Sequence, residues 1–190
     1  MDGRTIEKVL KKDIFTRRIY QGIYSEDTVK EVRAGYACVV NSSPAKESGE
    51  HWFVLANLRG KKTIEFLCSY RSNPRHYPNV YKVLKATGKK IVQLPRRLQG
   101  DLSSSCGSYA LFFFYCLSRH FSANEIASHF FSSSSSSSSP CSKSYQCDIL
   151  VTTIIRPLLS IKTPVAQLLY NEDFIKAQEK QREAHNDERR

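Results

Sequence analysis

No apolar run in this sequence is long enough to cross a bilayer. The longest, Tyr109 to Leu117, is nine residues, whereas a spanning helix needs about 20. There is also no basic opening followed by an apolar core. Asp2, Arg4 and Glu7 stand there instead, so no secretory leader is read, and the six cysteines are expected in a reducing compartment, mostly as thiols. None of them forms a Cys-x-x-Cys pair, which argues against a structural zinc. Acidic residues are scarce: 18 against 29 lysines and arginines, a net charge of +11. The shortage is concentrated between Arg59 and Arg97, where Glu65 is the one acid among eleven basic residues. Such a balance suits a polyanionic partner and says nothing of fold. Tyr70, Tyr77 and Tyr81 lie among those cations and either stack on bases or pack beneath a solvated face. No recognised nucleic-acid-binding motif accompanies them. What is abundant is core material. With 41% hydrophobic and 11% aromatic residues over 190 positions, the chain can bury one sizeable core, and one domain is expected.

Periodicity orders the chain as a mixture of helices and strands. Ile6, Val9, Leu10 and Ile14 recur at helical spacing, giving an amphipathic first helix over 5–14. Tyr36–Val40 and a run opened by His51 read as two strands joined by the loop 41–49, and Thr63–Ser69 follows across Arg59-Gly60-Lys61 as a hairpin. Tyr77–Ala86 reads as a short basic helix ended by Gly88, and Lys90–Leu94 as a strand stopped at Pro95. Cys106–Leu117 is apolar nearly all round and is expected as the central helix. Ser122 and Glu125 have the spacing of a capping box for a helix running to about Phe131. Eight serines over 132–139, closed by Pro140, read as an insertion with nothing to bury. Ile149–Leu159 supplies a last apolar helix. The expected organisation is one domain over 1–165, carrying the 132–140 insertion, and a polar tail over 171–190. The fold class is α+β, a central helix on a small mixed sheet.

Three residues carry chemistry. Cys106 stands at the start of the central helix, where the positive end of the helix dipole favours a thiolate. Gly107 after it leaves room for a backbone to approach. A cysteine there is also an ordinary small core residue. His51 opens a strand beside Trp52, the only tryptophan, and its ring is expected at a sheet edge. Gln99 lies in the loop leading to Cys106, where its amide can donate to an oxyanion.

The order His51-Trp52, Gln99, Cys106-Gly107 resembles that of the adenovirus-type cysteine proteases, the adenain family and its Maverick or Polinton relatives. Arg18-Ile-Tyr-Gln-Gly22-Ile-Tyr24 is similar to the family's opening segment, and Val39-Val-Asn41 with Gly49-Glu-His51-Trp52 to its histidine block. Leu98-Gln99 with Ser105-Cys106-Gly107 is similar to the nucleophile block. Phe130-Phe131 and Cys147-Asp148-Ile149-Leu150-Val151 resemble its closing elements, so the likeness covers roughly 14–159. The wider clan, with its proteases of ubiquitin-like proteins and its papain-like fold, shares the same order.

The resemblance implies a thiol endopeptidase with Cys106 as nucleophile, His51 as base and then acid, and Gln99 with the Cys106 N–H as oxyanion hole. It implies no metal or organic cofactor. It implies capsid or core precursors as substrates, assistance by a peptide and by DNA along 59–97, no membrane, and a place in the host nucleus or virion, not outside the cell. One role departs from the pattern: where the family has an acid or amide to hold the imidazole, an ungapped match puts Cys68. Ser69 is an alternative, and so is Glu65, which strand alternation turns to the other face unless a bulge intervenes. A protease of ubiquitin-like tags, or a decayed nucleic-acid-binding module, are the other readings.

Overall fold

The computed structural model describes residues 1–131 and 140–159. The serine run, the polar tail and the last residues of the expected domain therefore lie outside the described residues. Twelve elements follow in order: α1 (Gly3–Lys12), α2 (Thr16–Ile19), β1 (Tyr20–Ser25), β2 (Tyr36–Asn41), β3 (Trp52–Asn57), β4 (Thr63–Leu67), a 3₁₀ turn (Pro74–His76), α3 (Pro78–Ala86), β5 (Lys90–Gln93), α4 (Cys106–Ser118), α5 (Ala123–Phe131) and α6 (Pro140–Leu159). The five strands lie side by side in chain order. β1 is parallel to β2, β3 is antiparallel to both β2 and β4, and β5 is parallel to β4. This is the expected α+β class, with helices on both faces of a mixed sheet.

Strand alternation splits the core in two. Ala37, Val39, Val54, Ala56 and Leu67 point to the face covered by α1, α4 and α6. Cys38, Val40, Phe53, Leu55, Ile64 and Phe66 point to the other face, beneath α3. A sheet covered on both sides needs strands that are apolar on both sides, and β2, β3 and β4 are. Helix α4 is buried from Tyr109 to Ser118. Each of its large side chains contributes about 1.5–3 kcal/mol when removed from water, so this one helix anchors the layer above the sheet.

Three boundaries depart from the sequence reading. Helix α1 stops at Lys12, and Ile14 is exposed. Asp13 turns out of the helix, and its carboxylate accepts from the N–H groups of Phe15 and Thr16 at 3.2 and 2.8 Å, starting α2 instead. Strand β1 was not anticipated as a strand: all six residues are half-buried, so alternation is missing. Helix α6 begins at Pro140, nine residues before its expected start, because its polar first half carries no apolar period. Proline is well suited to a helix's first position. The capping box forms as expected, with Ser122 N–H donating to Glu125 Oε2 at 2.7 Å and Glu125 N–H to Ser122 Oγ at 3.3 Å.

Glu65 faces α5, on the side of β4 away from His51, and burial pushes its carboxyl up to about 7, opposed in part by the Ala123 N–H. The folded chain then keeps a proton that the unfolded chain releases near 4.5, so stability is lost as pH rises from about 4.5 to about 7. Glu65→Gln is expected to remove this loss. Urea unfolding above pH 7 should find it more stable than wild type by about 1–3 kcal/mol, an advantage that shrinks towards pH 4.5.

Candidate active site

The three residues singled out from the sequence come from three parts of the fold. His51 immediately precedes β3, Gln99 lies between β5 and α4, and Cys106 is the first residue of α4. Helix α4 packs on β3, which carries the start of the helix and the start of the strand into one region. Tyr70 joins them there. Its ring lies 4.7 Å from the imidazole of His51, centroid to centroid. Its hydroxyl accepts from Gln99 Nε2 at 3.1 Å. Its phenol is raised above its ordinary value by burial and then by the negative charge of a Cys106 thiolate.

His51 is buried, and its Nε2 lies 3.2 Å from Cys68 Sγ. The other ring nitrogen, Nδ1, is buried and has no hydrogen-bond partner. The ring is thus held from one side by a thiol, with one nitrogen left over for proton transfer. No hydrogen bond joins it to Cys106. Desolvation lowers the imidazole to about 4, which keeps it neutral, and able to act as a base, through the physiological range.

Glu65 and Ser69 do not hold the imidazole. Glu65 belongs to the opposite face, and the Ser69 hydroxyl donates to Gln99 Oε1 at 2.6 Å. The Gln99 amide is fully engaged, since Nε2 also donates to the Ser103 carbonyl at 2.7 Å. Both Nε2 protons are thus taken, by the Tyr70 hydroxyl and the Ser103 carbonyl, neither of which lies in a strand. The Gln99 backbone is fixed as firmly: Leu98 N–H and Gln99 N–H both donate to the Ser69 carbonyl, at 2.9 and 3.1 Å. The Tyr109 hydroxyl donates to the Leu98 carbonyl at 3.1 Å, and Gly100 N–H to Asp148 Oδ2 at 3.1 Å.

Cys106 is half-buried and unpaired. Ser105, the N-cap of α4, makes no side-chain capping bond, so no side chain claims the first-turn N–H groups, which are available to a thiolate or an oxyanion. Sequence reasoning missed Tyr70 and the part played by Ser69, although both adjoin Cys68. Two of the three tyrosines among the basic residues pack inward: Tyr70 lies on His51, and Tyr77 lies 4.9 Å from the ring of Phe53.

No protein-family model and no curated protein matches the chain. Among solved structures it is similar to a crystal structure of the ASFV pS273R protease, 16% identical over 77% of this chain and 65% of that one, with a TM-score of 0.48. A selenomethionine crystal structure of the same protease is 18% identical over 78% and 56%, with a TM-score of 0.35. This chain thus spans less than two thirds of either.

The thiol behind His51 generates a prediction. A carboxylate there accepts the imidazole N–H more strongly, so Cys68→Asp is expected to raise the His51 pKa from about 4 towards or above 6.5. In wild type the lowered pKa makes stability fall as pH drops from 6.5 to about 4, because the unfolded chain takes up the proton first. In Cys68→Asp that acid-side loss should shrink. An NMR titration of His51 and melting curves across this range check both statements.

Proposed function

We propose that this chain is a cysteine endopeptidase that cleaves viral or element-encoded capsid or core precursors, as the adenovirus-type proteases it resembles do. The observation that carries the reading is the His51 ring, held at Nε2 by Cys68 and free at Nδ1, in one cluster with Gln99 and Cys106 through Tyr70.

In this mechanism Cys106 Sγ attacks the scissile carbonyl carbon while its proton passes to His51 Nδ1. The carbonyl oxygen becomes an oxyanion, held by the Cys106 N–H and by Gln99 Nε2 once one of its two acceptors has withdrawn. Collapse breaks the C–N bond, and the imidazolium gives its proton to the departing amine. Water, deprotonated by the same nitrogen, then attacks the thioester, releasing the acid and restoring the thiol. Cys68 orients the imidazole without supplying charge. Because the third residue of such a site orients more than it ionises, a thiol slows the reaction without stopping it.

DNA as a partner is part of this proposal, and so is an activating peptide. Ten of the eleven basic residues between Arg59 and Arg97 are exposed, Lys89 being half-buried, which supports contact with a phosphate backbone. A place in the nucleus or virion goes with such partners. Among the described residues no helix is long and apolar enough to cross a membrane.

The experiment is labelling with an electrophilic Gly-Gly peptide, followed by hydrolysis of a Gly-containing substrate. Wild type should be labelled on Cys106, and Cys106→Ala and His51→Ala should hydrolyse nothing. Gln99→Ala should retain weak turnover, about 10²–10³-fold lower in kcat with substrate affinity little changed. Undiminished hydrolysis by Cys106→Ala would overturn the assignment. Binding to duplex DNA should weaken steeply with salt, and charge reversal on α3, Lys82→Glu with Lys85→Glu, should reduce the salt slope.

A further inference from the structure

The first residues of the chain complete the site in a way the motifs do not announce. The indole N–H of Trp52 donates to the Met1 carbonyl at 3.0 Å. Gly3 lies on the same ring: a Cβ added there would stand 3.3 Å from Cη2 of Trp52. On its other side Met1 covers Gly107, where an added Cβ would meet the Met1 Cβ at 2.8 Å and its Sδ at 3.4 Å. Trp52 follows His51 and Gly107 follows Cys106, so Met1 bridges the immediate neighbours of both reactive residues.

Its position is anchored from outside the site. Asp2 is the N-cap of α1, accepting from Thr5 N–H at 2.9 Å and Thr5 Oγ1–H at 3.0 Å. Helix α1 is fastened in the core by Ile6, Val9 and Leu10. Behind these residues a cleft of about 510 Å³ opens between Trp52, Asn41, Pro44 and Glu47, with Met1 to Gly3 forming one wall. That volume is enough to take a few residues of extended chain.

We infer that Met1–Gly3 is a strap lying in the groove beside Cys106 where a peptide backbone binds, and that the Trp52 indole N–H is the donor which an incoming chain's carbonyl takes over when the strap leaves. The resting site is thereby covered by the Met1 side chain on Gly107 and by its carbonyl on Trp52, and a ligand enters by displacing them into the cleft. Only the identity of the displacing chain, a protease substrate, rests on the function proposed above. Shielding of the thiol does not. Gly107 has a specific reason in this arrangement: any side chain there collides with the strap.

The test measures access to the Cys106 thiol, independent of any hydrolysis. Wild type, Trp52→Phe and Gly107→Ala are treated with N-ethylmaleimide near neutral pH, and labelling of each cysteine is followed by peptide mass spectrometry. Trp52→Phe keeps an aromatic ring but loses the donor to Met1, and Gly107→Ala forces Met1 off the helix. Cys106 is expected to react about fivefold faster, or more, in Trp52→Phe. Cys38 and Cys116, both buried, should stay unlabelled in every sample, which separates strap release from unfolding. Gly107→Ala, where it folds, should match or exceed this and move the Trp52 emission to longer wavelength. Equal Cys106 rates in wild type and Trp52→Phe, with Cys38 protected, overturn the inference whatever Gly107→Ala does. A chain that cleaves no peptide yet shows the acceleration refutes the proposed function and keeps the strap.

Discussion

Burial of α4 on the sheet is the constraint on which the site depends. The helix carries Tyr109, Phe113 and Phe114 into the core almost without exposure, and its axis cannot shift without opening that layer. Cys106 therefore stays on the first turn, above the beginning of β3. The Tyr109 hydroxyl extends the same rigidity to the Gln99 loop by holding the Leu98 carbonyl. The helix supplies hydrophobic free energy from Tyr109 onward, and its first turn presents N–H groups that its N-cap side chain leaves uncapped.

Around that anchor the polar residues form a chain of hydrogen bonds with few spare groups. Ser69 holds Gln99 Oε1, Gln99 holds the Tyr70 hydroxyl, and Tyr70 donates in turn to the Ser103 carbonyl at 3.0 Å. In a buried setting each of these groups needs its partner, since an orphan costs about 1–3 kcal/mol. Among the described residues five buried side-chain polar atoms lack a partner, and two of them lie by this cluster. Nδ1 of His51 is in the cluster, and Oδ1 of Asp148 lies next to the Gly100 contact. Buried orphans are rare in folded proteins, and these two flank the loop that leads into α4.

How much of this the sequence disclosed varies with the kind of signal. Strands β2 to β4 and helix α4 were legible because burial on both sides leaves runs of apolar residues, and α5 because its capping box is local. Strand β1 was not, being a half-buried edge with Gly22 in its middle. The first half of α6 was not, because its residues are polar and carry no apolar period. In the candidate site, His51, Gln99 and Cys106 stand out in the sequence as an ordered motif, and Cys68 through the ungapped match to the family that motif resembles. The bond of Cys68 to Nε2, the engagement of the Gln99 amide by Ser103, and Met1 against Gly107 all join residues 17 to more than 100 positions apart or depend on rotamers. No periodicity encodes them.

The sheet's order places β1 and β5 at its two margins, and β5 is unlike the rest. It is four residues long, opens on exposed Lys90 and is followed within two residues by Pro95. An unpaired strand margin invites a neighbouring molecule to add its own strand, and a short margin carrying a cation and ending near a proline discourages it. On that side the sheet stops growing at five strands. The same lysine-rich stretch that gives the protein its charge thus also guards this margin of the sheet against an added strand.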